Sequence, residues 1–155
     1  MVVKLLTFQK TYSMIKNSLM MMFLAVILFS CSSTKNTKSV SKLDGSWELN
    51  YIMGAPGVAA MFKDVVPTLT VNSAENQVSG NNGCNSYSGI VKIEGTKIDL
   101  SSPMAVTRKM CINGVEGEKL YMATLQKINR YSVSEEGKTL TMISGDMALM
   151  RFTKK

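Results

Sequence analysis

The chain has 155 residues, a formal net charge of +7 and no histidine. Histidine is the usual general base near neutral pH and the commonest metal ligand, so Ser-His-Asp, Cys-His and His-ligated zinc mechanisms are excluded. Eight of the 18 basic residues lie in the first 42 residues and the last two, and the other ten face all 11 acidic residues. Residues 43–153 therefore lack the net basic charge that phosphate-backbone binding needs, and we predict no nucleic-acid partner.

An unbroken apolar run covers residues 19–29, with Lys16 before it and serines and a cysteine after it. Eleven apolar residues are too few to span a bilayer, which needs about 20. A positive flank, a short apolar core and small residues at its end are typical of a secretory signal peptide. We predict a signal peptide over residues 1–30, with Met14 as an alternative start; the competing interpretation is a buried helix that ends in an ordinary cysteine.

The end of the apolar run resembles the lipobox of bacterial lipoproteins, because residues 28–31 read Leu-Phe-Ser-Cys. Cleavage at a lipobox leaves the cysteine first and lipids modify its thiol and amine, so Cys31 is the predicted lipidation site. Residues 32–42 are polar apart from one apolar residue, so this segment cannot bury enough surface to become ordered. Residues 31–42 are therefore predicted to be a lipidated, disordered tether, which places the protein at the bacterial cell envelope, on the outer membrane facing the periplasm.

Short alternating segments between residues 43 and 153 predict a meander of antiparallel strands. The first runs from Trp47, with Leu49 and Tyr51 expected on the same inner face. Glycines and a proline then break the strand, and residues 58–64 are a loop or a short helical turn. The other predicted strands are residues 67–72, 77–80, 87–94, 97–101, 131–133, 140–143 and 147–152.

One segment has helical spacing instead, and residues 114–129 are predicted as an amphipathic helix that lies against the sheet. Asn113 and Glu116 form a capping arrangement at its start, which Gly117 weakens. The apolar and small residues at this spacing are Leu120, Tyr121, Thr124, Leu125 and Ile128. The predicted fold is mainly β or α+β, a curled antiparallel sheet or small barrel-like fold with one amphipathic helix.

The glycine- and asparagine-rich corner at residues 80–85 reads Gly-Asn-Asn-Gly-Cys-Asn. It lacks the Gly-Lys-Ser/Thr ending of a phosphate-binding loop and no helix follows it, so a nucleotide site is disfavoured. Asn82 and Gly83 tolerate a positive φ, which indicates a turn between strands. We predict a structural role for this corner.

Two cysteines remain once Cys31 is assigned to the lipid, and Cys84 and Cys111 form an even pair in an exported, oxidising setting. A bridge would enclose roughly 28 residues and contribute about 3–4 kcal/mol by the chain-entropy estimate. Two alternatives stay open: a Cu(I) site in which thiolates combine with Met104 or Met110, and a redox pair. Nucleophilic cysteine catalysis lacks its histidine.

These motifs together resemble the META domain family, also called the HslJ-like family. The matching segments are residues 43–49 (Leu-Asp-Gly-Ser-Trp-Glu-Leu), 80–89 (Gly-Asn-Asn-Gly-Cys-Asn-Ser-Tyr-Ser-Gly), 107–111 (Thr-Arg-Lys-Met-Cys), 116–125, 140–142 and 149–152. The resemblance implies a single-helix antiparallel sheet of barrel-like form, in envelope lipoproteins linked to stress or antibiotic tolerance. It assigns no reaction and no catalytic residue. The motif residues with an expected structural role are Gly45, Trp47, Gly80, Gly83, Asn85 and Thr107.

The predicted function is that of a non-enzymatic, monomeric envelope lipoprotein associated with stress or antibiotic tolerance. Its expected partners are the membrane, through Cys31, and an unidentified envelope protein or small ligand; no cofactor or metal is expected. The alternatives are a carrier that holds a small molecule or peptide in the sheet interior, and a Cu(I)-handling protein. Asp99, Glu116 and Glu118 are expected to be solvated or capping charges because no acid-base pair is evident.

Overall fold

The computed structural model describes residues 42–111 and 114–155, so the predicted signal peptide, Cys31, nearly all of the tether and the Asn113 cap lie outside the described residues. Helix α1 is Val58–Met61 and helix α2 is Val115–Leu125. The strands are β1 (Gly45–Ile52), β2 (Thr68–Asn72), β3 (Gln77–Asn81), β4 (Ser86–Ile90), β5 (Lys92–Glu94), β6 (Lys97–Asp99), β7 (Ala105–Val106), β8 (Arg130–Val133), β9 (Thr139–Ser144) and β10 (Met147–Lys154).

The strands form one antiparallel sheet in the order β5-β6-β8-β9-β10-β1-β2-β3-β4-β7. Strand β4 is next to one end of this order and β5 is at the other end, yet Val91 alone connects them. A one-residue connection requires the two ends to lie close together, so the sheet curls into a half-barrel. The predicted curled antiparallel sheet is confirmed.

Strand β1 shows where simple alternation fails. Trp47 and Leu49 are buried as predicted, but Tyr51 is 39% exposed and Ile52 is buried in its place. The register with β10 shifts between Leu49 and Tyr51, because a β-bulge inserts one extra residue there. The prediction that Tyr51 faces inward was therefore wrong.

Two further departures lie around β4. The segment predicted as one strand over residues 87–94 is two strands, and they belong to opposite ends of the sheet. The break is at Val91, which is fully buried and donates its N–H to Asn76 O at 2.9 Å. Strand β7 was not predicted because two residues are too few to show alternation.

The core lies between the sheet and α2. Helix α2 contributes Tyr121 and Leu125, both fully buried, and the strands contribute most of the other large side chains. The largest of these are Trp47, Tyr131, Phe152, Ile52, Leu69, Leu140, Met142 and Met150. The prediction that the helix packs against the sheet is confirmed, although the helix ends at Leu125. Across residues 42–111 and 114–155, no helix combines the length and hydrophobicity needed to cross a membrane.

Gly117 lies on the buried side of α2, against Phe62. A Cβ atom at this position would lie 2.7 Å from Phe62 Cε1 and 3.1 Å from Met61 Cγ. Gly117 weakens the start of the helix in isolation, but its lack of a side chain allows α2 to pack closely against Met61, the last residue of α1, and Phe62, which follows it.

Candidate functional site

The corner at residues 80–85 is closed by the Asn82 side chain. Its Oδ1 accepts the N–H of Asn85 at 2.7 Å and that of Cys84 at 3.2 Å, and Asn82 is fully buried. Gly83 has φ +101°, and a Cβ there would lie 2.5 Å from Phe62 Cδ1. Gly83 therefore provides the positive φ expected of this turn, whereas Asn82 contributes its side chain.

Asn85 connects the corner to two other parts of the fold. Its Oδ1 accepts the Lys109 N–H at 2.6 Å and the Thr107 hydroxyl at 2.9 Å. Its Nδ2 donates to both oxygens of Glu118, at 3.2 and 3.3 Å, and to Lys109 O at 3.4 Å. Asn85 thus joins the corner, the chain around residues 107–109 and helix α2.

Glu118 is the site residue that the sequence analysis missed. It was expected to be a solvated or capping charge, but its Oε1 accepts Asn82 Nδ2 at 3.0 Å as well as Asn85 Nδ2. The signal that could have found it is its helical position, three residues before the buried Tyr121 and therefore on the same side of α2. Its partners lie more than 30 residues away in sequence, so spacing could not name them.

A disulfide joins Cys84 to Cys111, which are 27 positions apart in sequence and have their Cα atoms 6.1 Å apart. This separation lies within the usual range for disulfides. The predicted pairing is supported by this geometry. Because the two sulfurs bond each other, neither is a thiolate available to Cu(I) in this form.

Gly80 provides space for a buried cluster of hydroxyls. The hydroxyls of Tyr87 and Tyr121 lie 2.9 Å apart, and both donate to Thr68 O, at 3.0 and 3.1 Å. A Cβ at Gly80 would overlap Thr68 O and lie 2.7 Å from Tyr87 Oη. Burial raises the pKa of both tyrosines above the ordinary value of 10.0.

Gly45 and Trp47 belong to a different contact, between β1 and the end of β10. Trp47 is fully buried and its Nε1 donates to Leu43 O at 2.8 Å. Lys154 Nζ lies 4.2 Å from the Trp47 ring centroid and donates to Asp44 O, and burial lowers the pKa of Lys154. Gly45, at φ +111°, leaves space for this ammonium group. The predicted motif residues thus form two groups, with Gly80, Gly83, Asn85 and Thr107 around the corner.

A cleft of about 790 Å³ lies beside the corner, between α2 and residues 104–110. Its apolar lining includes the half-buried side chains of Met104, Val106 and Met122. Three exposed cationic residues also line it: Arg108, Lys109 and Lys119. Asn85 and Glu118 line it too, so the hydrogen bonds that hold the corner also support this cleft.

Within residues 42–111 and 114–155, no carboxylate forms an ion pair with the cationic residues of the cleft. Among the described residues the ion pairs are Lys138 with Glu136 and Lys155 with Glu48, and neither pair lines the cleft. Glu118, the acidic residue of the cleft, accepts its hydrogen bonds from asparagine amides. No group of three or more His, Cys, Asp or Glu residues is placed to hold a metal ion within residues 42–111 and 114–155. The cleft therefore combines an apolar lining with an excess of positive charge.

Solved structures show the same fold at low sequence identity. An NMR structure of a protein from Burkholderia xenovorans has 22% identity and a TM-score of 0.61, covering 81% of this chain and 92% of that one. A second NMR structure has 20% identity and a TM-score of 0.51, covering 72% and 90%. The crystal structure of a DUF4847 family protein from Bacteroides vulgatus has 14% identity and a TM-score of 0.50, covering 73% and 94%.

Comparison with curated proteins gave no match. The family model of the META domain matches residues 40–155, which include the corner, the disulfide, α2 and every described strand. The chain belongs to the META domain family.

Proposed function

We propose that this chain is a non-enzymatic, lipid-anchored protein of the bacterial envelope whose META domain binds a ligand in the cleft beside α2. The observation that carries the proposal is the composition of this cleft: an apolar lining with three cationic residues that form no ion pair within the part of the chain that the structure describes. Its volume of about 790 Å³ lies within the ~300–1,000 Å³ typical of small-ligand sites. The role in stress or antibiotic tolerance is a proposal that comes from the family resemblance.

The anchor is supported by the sequence of the first 42 residues. A positive flank, an apolar run of 11 residues and the Leu-Phe-Ser-Cys end at Cys31 resemble a lipoprotein signal. The polar residues between Cys31 and Leu43 would give the domain reach from the membrane surface.

The two alternative functions gain less support. Carriage in the sheet interior needs space between the sheet and α2, where Trp47, Tyr121 and Phe152 are fully buried in the core. Copper handling through Cys84 and Cys111 needs free thiolates, and these cysteines are joined. The cleft outside the core is therefore the better candidate for a binding surface.

Metabolic labelling with an alkyne-bearing palmitate tests the anchor. The wild-type chain should incorporate the label, a Cys31→Ala variant should lose it, and the neighbouring Ser32→Ala variant should keep it. Equal labelling of the wild type and Cys31→Ala would show that Cys31 is not the lipidation site.

Methionine oxidation tests whether the cleft is occupied. Met104 and Met122 line the cleft, while Met147 is 58% exposed elsewhere and serves as the internal control. In intact envelopes, Met104 and Met122 should oxidise several-fold more slowly than in purified full-length protein in phosphatidylcholine nanodiscs, and Met147 should oxidise equally in both. Equal oxidation of the cleft methionines in the two samples would contradict a bound ligand.

A further inference from the structure

We infer that the ligand of the cleft is a free long-chain fatty acid, with its carboxylate at the cationic residues and its chain on the apolar lining. This deepens the proposed function and rests on it. Three properties of the described residues support it: the unpaired charges, the methionine-rich lining and the short edge strand beside them.

The charge balance of the cleft favours an anionic head group. Among the described residues that line the cleft, Arg108, Lys109 and Lys119 are accompanied by one carboxylate, that of Glu118, which is already hydrogen-bonded to amides. A guanidinium group can bind a carboxylate through two parallel hydrogen bonds, and an ammonium group adds a third. The near-neutral charge of residues 43–153 as a whole conceals this local excess, because the balancing acidic residues lie elsewhere on the domain.

The lining favours a flexible apolar chain. Met104 and Met122 are half-buried, and Met110, at the cleft edge, is 98% exposed. Methionine side chains are unbranched and adaptable, so they can pack along an acyl chain that has no fixed shape. Covering such side chains would also remove apolar surface from water.

The edge strand disfavours an extended peptide. A peptide that adds to a sheet edge gains its affinity from a row of main-chain hydrogen bonds. Strand β7, the edge strand at this end of the sheet, has two residues, and only Val106 of the two lines the cleft. A single chain held by its head group needs no such row, so the cleft suits a fatty acid better than a peptide.

The wall that bears Arg108 is held in place by hydrogen bonds to Asn85 and Ser86 and by the disulfide. Asn85 binds the main chain of Lys109 on one side of Arg108, and Thr107 on the other side bonds to Asn85 and Ser86. The disulfide at Cys111 fixes the end of the same segment. Holding the main chain that bears Arg108 and Lys109 in advance lowers the entropy lost on binding.

A photoreactive fatty acid tests this in isolated envelopes that contain the full-length chain. Free acid added to isolated envelopes is not activated for enzymatic acyl transfer to the protein. Covalent labelling therefore comes from the photoreaction and shows that the probe lies close to the labelled peptide. The acid probe should label peptides from residues 104–126, and an alcohol probe of the same chain length should label them about tenfold less, since it lacks the charge-assisted bonds.

Charge variants of equal size give the matched control. Arg108→Gln with Lys119→Gln removes two cleft cations and should lower labelling by the acid about tenfold. Lys127→Gln with Arg130→Gln removes two exposed cations that do not line the cleft and should leave labelling unchanged. Lys109 is left intact because its main chain is part of the wall. Met122→Gln should lower labelling by both probes, since it makes the lining polar.

The other outcomes overturn the inference. Equal labelling by acid and alcohol would exclude an anionic head group as the basis of recognition. Stronger labelling by a photoreactive phospholipid would show contact with membrane lipid instead of a free acid, and labelling outside residues 104–126, or none, would exclude this ligand. If the probe labels outside residues 104–126 or not at all, and Met104 and Met122 are still protected from oxidation, then the cleft is occupied and only the fatty acid is excluded as its ligand.

Discussion

Asn85 binds the main chain of Lys109 through both polar ends of its side chain: Oδ1 accepts the Lys109 N–H at 2.6 Å, and Nδ2 donates to Lys109 O at 3.4 Å. Lys109 lies beyond the last residue of β7, in a segment without helix or strand. The Asn85 side chain therefore supplies the main-chain hydrogen bonds that a neighbouring strand supplies within the sheet. Because Asn85 also binds Glu118, the two walls of the cleft are joined through one residue.

Replacing Asn85 by aspartate should destabilise the domain by about 2–4 kcal/mol. The substitution keeps the acceptor for Lys109 but places a carboxylate oxygen where Nδ2 now lies, 3.2 Å from Glu118 Oε1. Urea unfolding monitored by Trp47 fluorescence measures the change, since Trp47 is the only tryptophan.

Asn50→Asp is the matched control, because Asn50 is exposed and Thr153 Oγ1 is the one hydrogen-bond partner of its amide among the described residues. It should change the free energy of unfolding by less than about 1 kcal/mol. The cost of Asn85→Asp should shrink at low pH, where the two carboxylates can share a proton. Equal cost in both variants would show that the contact with Glu118 has little energetic weight.

Reduction of the disulfide should lower the free energy of unfolding by about 3–4 kcal/mol, because the bridge closes a loop across 27 positions. It should also increase hydrogen exchange around Lys109, whose segment is then held mainly by Asn85. A Cys84→Ala, Cys111→Ala variant should match the reduced protein and respond no further to reductant. A further loss in that variant would mean that the reductant acts on another part of the molecule.

The sequence was sufficient for most of the fold because strand burial follows a local period of two. Trp47, Leu69 and Leu140 are buried where alternation predicts. Tyr51 is not, because a bulge depends on the partner strand β10, about 100 residues away. Val91 separates two strands at opposite ends of the sheet, and nothing local to residues 87–94 encodes which partners they choose.

The site was less predictable for a related reason. The corner and its cysteines were recognisable from composition and motif, and the pairing of Cys84 with Cys111 was predicted on the expectation of an exported, oxidising setting. The cleft was not recognisable, because it combines α2 with residues 104–110, a stretch with little periodicity. Its local positive charge also cannot be seen in the near-neutral net charge of residues 43–153. Glu118 shows the same limit, since its hydrogen-bond partners Asn82 and Asn85 come from a distant turn.

Alkaline pH should destabilise the domain through Tyr87 and Tyr121. Burial raises the pKa of both side chains in the folded state, while unfolded tyrosine ionises near its ordinary value of 10.0. Above that pH the unfolded chain binds fewer protons than the folded one. The stability that these two tyrosines contribute is therefore fully present below pH 10 and is lost as pH rises toward the folded pKa.

Between pH 10 and the folded pKa, each buried tyrosine should lower the free energy of unfolding by about 1.4 kcal/mol per pH unit. Tyr87→Phe should remove one such contribution, measured by urea unfolding at several pH values with circular dichroism. An unchanged slope in Tyr87→Phe would mean that Tyr87 ionises alike in both states.

Gly117→Ala should destabilise the domain although alanine is the better helix former by about 1 kcal/mol. The new Cβ would lie 2.7 Å from Phe62 Cε1, and crowding of this kind costs about 1–3 kcal/mol. In a Phe62→Leu background the crowding atom is absent, so the same substitution should cost less or become stabilising. Ala123→Gly, exposed on α2, should instead cost about 1 kcal/mol in both backgrounds. An equal cost of Gly117→Ala with Phe62 and with Leu at position 62 would show that this contact does not set how closely α2 packs.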